Sequence, residues 1–407
     1  MTMQSSRREW RCGGGKMAAG LNDSAAAPVT FTGPRDEFFG RLFGGYLLML
    51  PTLGVYRFWV TTFKRRFYWS HTVIDGDPLE YTGTARQLLV GFLLAIAFFL
   101  PAYIALFVLS LFAGVIGAIG YVVVLGCLWF FVGYAQYRGR DFRLSRTLWR
   151  GIRFDQKGSA VAYATRRFLW SLLVVVTLGL AYPFMSASLW RYRYANTWFG
   201  DRQVSFEGTW RTIAGPFYRA YAVVAVSVGL VVGLGVTGNL RVFALAPVAV
   251  IVLGGLALVY WRSREATRMF SAIRLGPARV ETTIKARSLF GQHLAFGLVW
   301  LLLVIVAWFA GSAILAVAGG AEGTLAGIRS ISTNGWASAA LVVGGYVLTV
   351  GAFSLLSETI LDFGWWKLVA GGSWIVNVES LGDVRAIDED RSTLGEGFAD
   401  ALNVGAF

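Results

Sequence analysis

The 407-residue chain is 56% hydrophobic and 15% charged, against about 25% charged residues in a soluble domain, which excludes a single water-soluble globule. Its two cysteines (Cys12 in the N-terminal tail, Cys127 inside an apolar run) and two histidines exclude a disulfide framework and a metal site of the usual spacing. The net charge of +14 is concentrated, with 25 of the 37 Lys and Arg in Phe63–Arg86, Tyr137–Arg167, Trp190–Arg219 and Arg262–Arg287, which marks a cytoplasmic membrane face and speaks against nucleic-acid binding.

Residues 1–30 read as a disordered basic tail. Arg7, Arg8, Arg11 and Lys16 are not followed by an apolar core, so no cleaved signal peptide is expected, and Met17 is a candidate start. Residues 31–370 read as a helical membrane domain. Gln87–Tyr137 carries no charge at all, enough for two spans of about 20 residues each. Six spans are expected near 88–110, 116–136, 218–236, 242–261, 290–317 and 337–357. Two further apolar segments, 38–60 and 168–189, are ambiguous, because the first holds Pro51 and the second Gly179 and Pro183, which break helices. Residues 371–407 change sign. They hold seven acids against two bases and read as an acidic cytoplasmic tail, with a short strand near 374–378 and a short helix near 396–402. The tail either docks beneath the basic face or stays solvated.

The ambiguous segments carry a repeated unit. Thr52-Leu53-Gly54 and Thr177-Leu178-Gly179 start two stretches that run in step, without a gap, to Gly83-Thr84 and Gly208-Thr209. Arg66 then matches Arg191, Thr72 matches Thr197, and Arg86 matches Arg211. This points to an internal duplication, with units near 31–136 and 152–261 and a third helical pair near 288–357. If both ambiguous segments crossed the membrane, one of the basic loops would lie outside, against the positive-inside rule. Both are therefore expected to be re-entrant or interfacial, the alternative being two ordinary kinked spans. Both termini are then cytoplasmic.

A shorter echo occurs four times, at Thr72, Thr147, Thr197 and Thr267. Each has basic residues before it and a small residue after it, at Gly76, Gly151, Gly200 and Ser271. It reads as a helix leaving the membrane, a turn, and a short extended segment. Four such pieces form either a cytoplasmic collar or simple interfacial anchors. The expected fold class is all-α: a polytopic transmembrane helical protein with an internal duplication, of about six spans plus two re-entrant or short spanning segments.

Phe31-Thr32-Gly33, Thr52 through Tyr56 with Trp59, Arg66 through Thr72, Arg146 through Phe154, Arg193 through Thr197 and Gly395 through Leu402 together resemble the YjgN-like bacterial inner-membrane family, a domain family of unknown function. The resemblance covers roughly residues 30–407. It implies a multi-pass protein of the bacterial inner membrane and brings no catalytic residues.

No phosphate loop, nucleophile elbow or metal motif is present. His71 and His293 read as interfacial residues. The expected spans lack the carboxylates usual in proton-coupled carriers, with Glu358 and Asp362 just past the last of them. Thr52, Gly54, Thr177 and Gly179 are the candidate pathway or helix-break residues, since broken helices can present backbone carbonyls to a solute. Packing of small residues accounts for them equally. Arg65, Arg66, Arg146, Arg150, Arg191 and Arg193 are candidates for a basic face that binds lipid headgroups or serves structure. No catalytic residue, metal or cofactor is expected, and no enzyme. The expected partners are membrane lipids, above all anionic ones, while a homo-oligomer or a protein partner stays open. The functional reading is a carrier or channel for a small solute or lipid, the alternative being a non-transporting assembly or envelope-maintenance factor.

Overall fold

The computed structural model describes residues 26–111, 114–236, 240–318 and 335–387. The chain alternates helical excursions with very short strands. β1 (Ala26–Phe31) leads into α1 (Arg35–Met49) and α2 (Arg57–Ser70). The hairpin β2 (Thr72–Ile74) and β3 (Asp77–Tyr81) then leads into α3 (Ala85–Ser110) and α4 (Val115–Ser145). β4 (Thr147–Trp149) and β5 (Ile152–Gln156) precede α5 (Ala160–Val176) and α6 (Tyr182–Ala195). β6 (Thr197–Phe199), β7 (Arg202–Gln203) and β8 (Ser205–Phe206) precede α7 (Trp210–Val236) and α8 (Leu240–Phe270). β9 (Ile273–Leu275) and β10 (Ala278–Thr282) precede α9 (Ala286–Ala318) and α10 (Gly335–Leu356). A π-helical segment (Ser357–Asp362), α11 (Phe363–Gly371) and β11 (Ser373–Val376) complete the order.

The eleven strands form one antiparallel sheet in the order β7-β6-β5-β4-β3-β2-β1-β11-β10-β9-β8. This corrects the all-α expectation. Strands of two to six residues are too short for a period-2 pattern to show in a sequence window. The two ends of the order, β7 and β8, are separated only by Val204, whose N–H still donates to Thr197 O (2.9 Å). They are two halves of one strand that changes partner, so the sheet curls round on itself as a small near-barrel.

One bond recurs at every junction between neighbouring hairpins. The N–H just after a hairpin's second strand donates to the carbonyl just before the next hairpin's first strand. The pairs are Thr32–His71 (3.0 Å), Thr82–Arg146 (2.9 Å), Lys157–Asn196 (2.8 Å), Glu207–Ala272 (3.0 Å) and Thr283–Gly372 (2.7 Å). The strand registers beside them correspond too: Phe31↔Thr72, Tyr81↔Thr147, Gln156↔Thr197, Phe206↔Ile273 and Thr282↔Ser373. Four hairpins are continuous. The fifth is assembled from β11 and β1, drawn from the two ends of the chain. β1 and β11 thus lie inside segments expected to be tails. The expected helix near 396–402 lies outside the described residues.

Tight turns close the hairpins. Asp75-Gly76 and Arg150-Gly151 both have positive φ (51° and 86°, 51° and 74°), the pattern that matches the right-handed twist of the strands. Side chains from strands all round the sheet converge in one cluster with Trp149 and Phe199, together with Val378, Leu381 and Val384 from the segment after β11. The barrel is therefore filled, and its turn-side mouth is capped by that segment. Arg202 donates to Ser380 O (3.0 Å), Asp201 N to Arg385 O (3.0 Å), and Arg385 N to Asp201 Oδ1 (3.1 Å).

Among the described residues, five helical stretches are long and apolar enough to cross a membrane: Ala85–Leu109, Gly117–Ser145, Trp210–Gly233, Ala286–Ile314 and Ala339–Gly371. Protein buries only 0 to 11% of their most apolar windows, which would be untenable in water and suits lipid. These stretches contain or overlap five of the six expected spans, and the sixth, near 242–261, falls within α8. The ambiguous segments are not single helices. Each reverses direction, so α1/α2 and α5/α6 leave the sheet and return to it. With 14 to 17 residues per helix, at 1.5 Å per residue, they reach only about 20–25 Å, short of a hydrocarbon core of about 30 Å.

Candidate functional site

Polar and charged side chains gather where the helices that feed the sheet reach it, and this boundary between helices and sheet is termed the chamber. α2, α4, α6, α8 and α11 each run directly into a hairpin's first strand. The last carbonyls of a helix lack partners within the helix. A hydroxyl at the strand's first position fills this need: Thr72 Oγ1 donates to Tyr68 O, Thr147 to Arg143 O, Thr197 to Arg193 O and Ser373 Oγ to Val369 O, all at 2.7–2.8 Å. The fourth position is Ile273, which has no hydroxyl. Thr267, expected to be the fourth threonine of the echo, instead lies within α8, where its Oγ1 accepts from Ile284 N (3.1 Å).

Before four of these five strands, the side chain seven residues upstream reaches the next junction; before Ile273 that position is Ala266. Arg65 Nη1 donates to Tyr81 Oη (3.0 Å), and Arg140 Nη1 to Thr197 Oγ1 (2.9 Å) and to Gln156. Trp366 Nε1 donates to Thr72 Oγ1 (2.9 Å), and Trp190 stacks with Phe206 at 6.2 Å. Trp69 adds a bond from Nε1 to Thr147 Oγ1 (2.8 Å). The junction residues, directly paired across strands, form a ring between the apolar barrel filling and the helices that carries polar side chains at four of its five junctions, Phe206↔Ile273 being apolar.

Charged groups gather on the helical side of this ring. Lys64 of α2 pairs with Glu358 at 2.6 Å, while Glu358 Oε2 is buried without a hydrogen-bond partner. Glu358 and Asp362 sit on the π-helical segment, a departure from α geometry frequent at functional sites. Glu265 of α8 accepts from Ser186 Oγ of α6 and lies within electrostatic reach of Arg193. Arg65, Arg140, the Tyr81 phenol and Arg193 all lie within electrostatic reach of Arg143. Arg140 and Arg143 are half-buried. Among the described residues no group of three His, Cys, Asp or Glu is placed to hold a metal ion.

The expected site residues separate into three places. Thr52/Gly54 and Thr177/Gly179 form two matching turns at the helix tips, distant from the sheet. Thr52 Oγ1 donates to Leu48 O and Thr177 Oγ1 to Leu173 O (both 2.7 Å), and Gly54 N and Gly179 N donate to Met49 O (2.8 Å) and Val174 O (2.7 Å). Leu53 and Leu178, at positive φ beside them, are 94% and 80% exposed. Arg66 and Arg191 share another role, each donating Nη2 at 3.1 Å to the carbonyl of Gly83 or Gly208 just before the following helix. Arg146 lies over Phe142. Arg150 lies over Trp149 and pairs with Asp75 (2.9 Å) and Asp77 (2.5 Å), hydrogen bonds that raise its pKa. Only Arg65 and Arg193 of the expected set reach the chamber. Arg140, Arg143, Lys64 and Glu265 were not anticipated, although Arg65 and Arg140 stand seven residues before Thr72 and Thr147, and Arg143 and Arg193 four residues before Thr147 and Thr197.

A family model of bacterial proteins of unknown function, DUF898, matches residues 26–240, and the chain belongs to that family. The match begins at β1, while the recurring junction bonds continue beyond it to Gly372. No curated protein and no solved structure matches the chain.

Proposed function

We propose that this member of the family is a multi-pass protein of the bacterial inner membrane that carries a small solute or lipid through the chamber between its helices and its strand barrel. The sheet and both chain ends then lie in the cytoplasm, because the segments that hold most of the Lys and Arg surround the sheet. The fold is read as five repeated units of hairpin and helix pair, with α1/α2 and α5/α6 as re-entrant pairs that stop within the bilayer. The observation that carries the functional reading is the chamber itself. Polar and charged groups contributed by separate helix pairs converge at the helix ends that join the sheet, where an ordinary structural core would be apolar, and such convergence at the mouth of a helical bundle supports a solute path. The apolar filling below them suits a closed gate, since hydrophobic constrictions shut pores by excluding water.

The same filling favours a second reading. A barrel packed with Trp149 and Phe199 and capped by Val378–Val384 offers no open route, as a non-transporting assembly factor would. Liposomes loaded with a panel of small neutral and anionic solutes, with and without the purified chain, separate the two. Solute-selective release supports carriage. Tightness equal to protein-free liposomes across the panel, together with a stoichiometric protein partner on gentle purification, supports the second reading.

A further inference from the structure

We propose that the ligand reaching the chamber is a phospholipid of the surrounding bilayer, which enters sideways over the tips of the two short helix pairs, α1/α2 and α5/α6. The inference rests on the reading that the chamber takes a ligand, and it names that ligand's class and its way in.

The five helix pairs stand in a ring, with α2 packed on α3, α4 on α5, α6 on α7, α8 on α9 and α10 on α1. The pair α3/α4 therefore has a short pair on each side. Contacts at the tips fix the height of the steps. Tyr221 of α7 donates Oη to Leu178 O (3.0 Å) at the second tip, and α7 runs on from there to Val236, about 22 Å at 1.5 Å per residue. Phe58, just past the first tip, meets Phe92 of α3 at 5.1 Å, and α3 runs on to Ser110, about 27 Å. The ring is thus low at two places, and both open on the bilayer.

The tips suit hydrocarbon rather than water. Every backbone N–H from Leu53 to Arg57 and from Thr177 to Tyr182 donates to an acceptor three to five residues before it, Thr52 Oγ1 and Thr177 Oγ1 among them. At the second tip Leu178 O and Leu180 O accept from Tyr221 and Tyr218. Water would satisfy such groups unaided, whereas a turn that faces lipid must satisfy them from within the protein. The exposed apex of each tip is a leucine at positive φ (49° and 50°), a conformation that glycine or asparagine adopts more easily. An apolar side chain held there against strain gains from hydrocarbon and not from water. Neither Leu42–Tyr56 nor Phe168–Trp190 carries a charge.

The space beside the steps is apolar too. Each residue from Leu301 to Ala310 of α9 is exposed, and that stretch turns nearly three times round the helix axis. Protein therefore covers no side of α9 at this level, including the side toward the other pairs. Of Leu341–Val350 in α10 only Gly344 is less than exposed. Ser288–Ala321 and Ser330–Ser357 are uncharged. A polar solute would meet no polar lining here, whereas lipid chains fit such a surface. The polar groups lie at the helix feet beside the sheet. An apolar upper ring over polar feet matches a lipid's chains and head.

The test uses the full chain, with Cys12 and Cys127 changed to serine, in nanodiscs of phosphatidylcholine and phosphatidylglycerol. Leu53→Cys or Leu178→Cys carries a nitroxide, and its collisions with oxygen, which concentrates in lipid, are compared with those of a water-soluble nickel chelate. The proposal predicts that oxygen dominates at both tips. Nickel dominating at either tip shows a water-filled path, and shielding from both reagents shows a protein cover such as a second copy of the chain. Either result overturns entry by lipid. The unaltered chain is tested beside these variants, so the answer does not depend on a labelled tip that folds. Vesicles containing fluorescent phosphatidylglycerol are scored for its movement between leaflets by dithionite reduction, and for release of entrapped small solutes. The proposal predicts lipid movement severalfold faster than in protein-free vesicles. Solute release without lipid movement supports carriage and overturns lipid as the ligand. Oxygen-dominated tips with neither lipid movement nor solute release overturn carriage and leave lipid over the tips standing.

Discussion

Lys64 of α2 and Glu358 of the π-helical segment, 294 positions apart in the chain, meet at 2.6 Å. Their side chains are 22% and 18% exposed, and the pair ties the first helix pair to the last across the chamber. Lys64→Ala leaves a part-buried carboxylate without its cation and is expected to cost about 1–3 kcal/mol, read as a lower melting temperature in detergent. Pairing Lys64→Met with Glu358→Gln should restore most of the loss. Additive losses in the double variant would contradict this coupling.

The tryptophan bonds to the helix-ending threonines provide a second test. Trp69→Phe removes the donor to Thr147, and Trp366→Phe the donor to Thr72. Each threonine keeps its bond to the carbonyl of the last helical turn. A loss of about 0.5–1.5 kcal/mol apiece is expected, and the double variant should depart from additivity because the Trp69 and Trp366 rings stack at 5.2 Å. Denaturation in detergent by both tryptophan variants checks this.

Gly54 and Gly179 differ in kind from Gly40. At φ 84° and 95° the first two hold a conformation that side chains disfavour. A Cβ at Gly54 would meet nothing within 4 Å, so Gly54→Ala isolates backbone strain, with an expected loss of about 1 kcal/mol. Gly40 lies inside α1, also in open space, and Gly40→Ala should stabilise by about 0.5–1 kcal/mol. Melting temperatures that move in the same direction would contradict the assignment of these turns.

Arg150 makes two ion pairs and lies over Trp149, yet it is exposed at a turn. Pairs of this kind contribute between nothing and about 1 kcal/mol. Arg150→Ala should therefore leave the melting temperature nearly unchanged at 0.15 M salt, where screening weakens the pairs further. The positive φ of 51° supports one gain: Arg150→Gly relieves strain and should be neutral or stabilising.

The apolar runs made the membrane helices legible, and Thr-Leu-Gly marked both helix reversals, because a span interrupted by Pro51 or Gly179 has no continuous hydrogen-bond ladder. The turn residues Gly76, Gly151 and Gly200 likewise stood out. The closed sheet did not. Its strands are two to six residues long, and its fifth hairpin joins Ala27 to Ile375, a pairing that no local window contains. Thr267 was misplaced because the basic residues before it imitate those before Thr197, while α8 runs on to Phe270. The chamber stayed hidden for a related reason. Arg65, Arg140, Arg143 and Arg193 belong to three helices, and only the ring of junctions brings them together.

The central claim, that solute passes along the axis and is held back by the segment after β11, is tested by a reversible lock. At the barrel mouth Asp201 N donates to Arg385 O, and Arg385 N donates to the Asp201 carboxylate. Replacing both with cysteine, with Cys12 and Cys127 changed to serine, places a disulfide across the cap in the full chain. Solute release from liposomes is then measured oxidised and after reduction. The account predicts slow release when oxidised and faster release on reduction, and equal release in both states, or none in either, would contradict it.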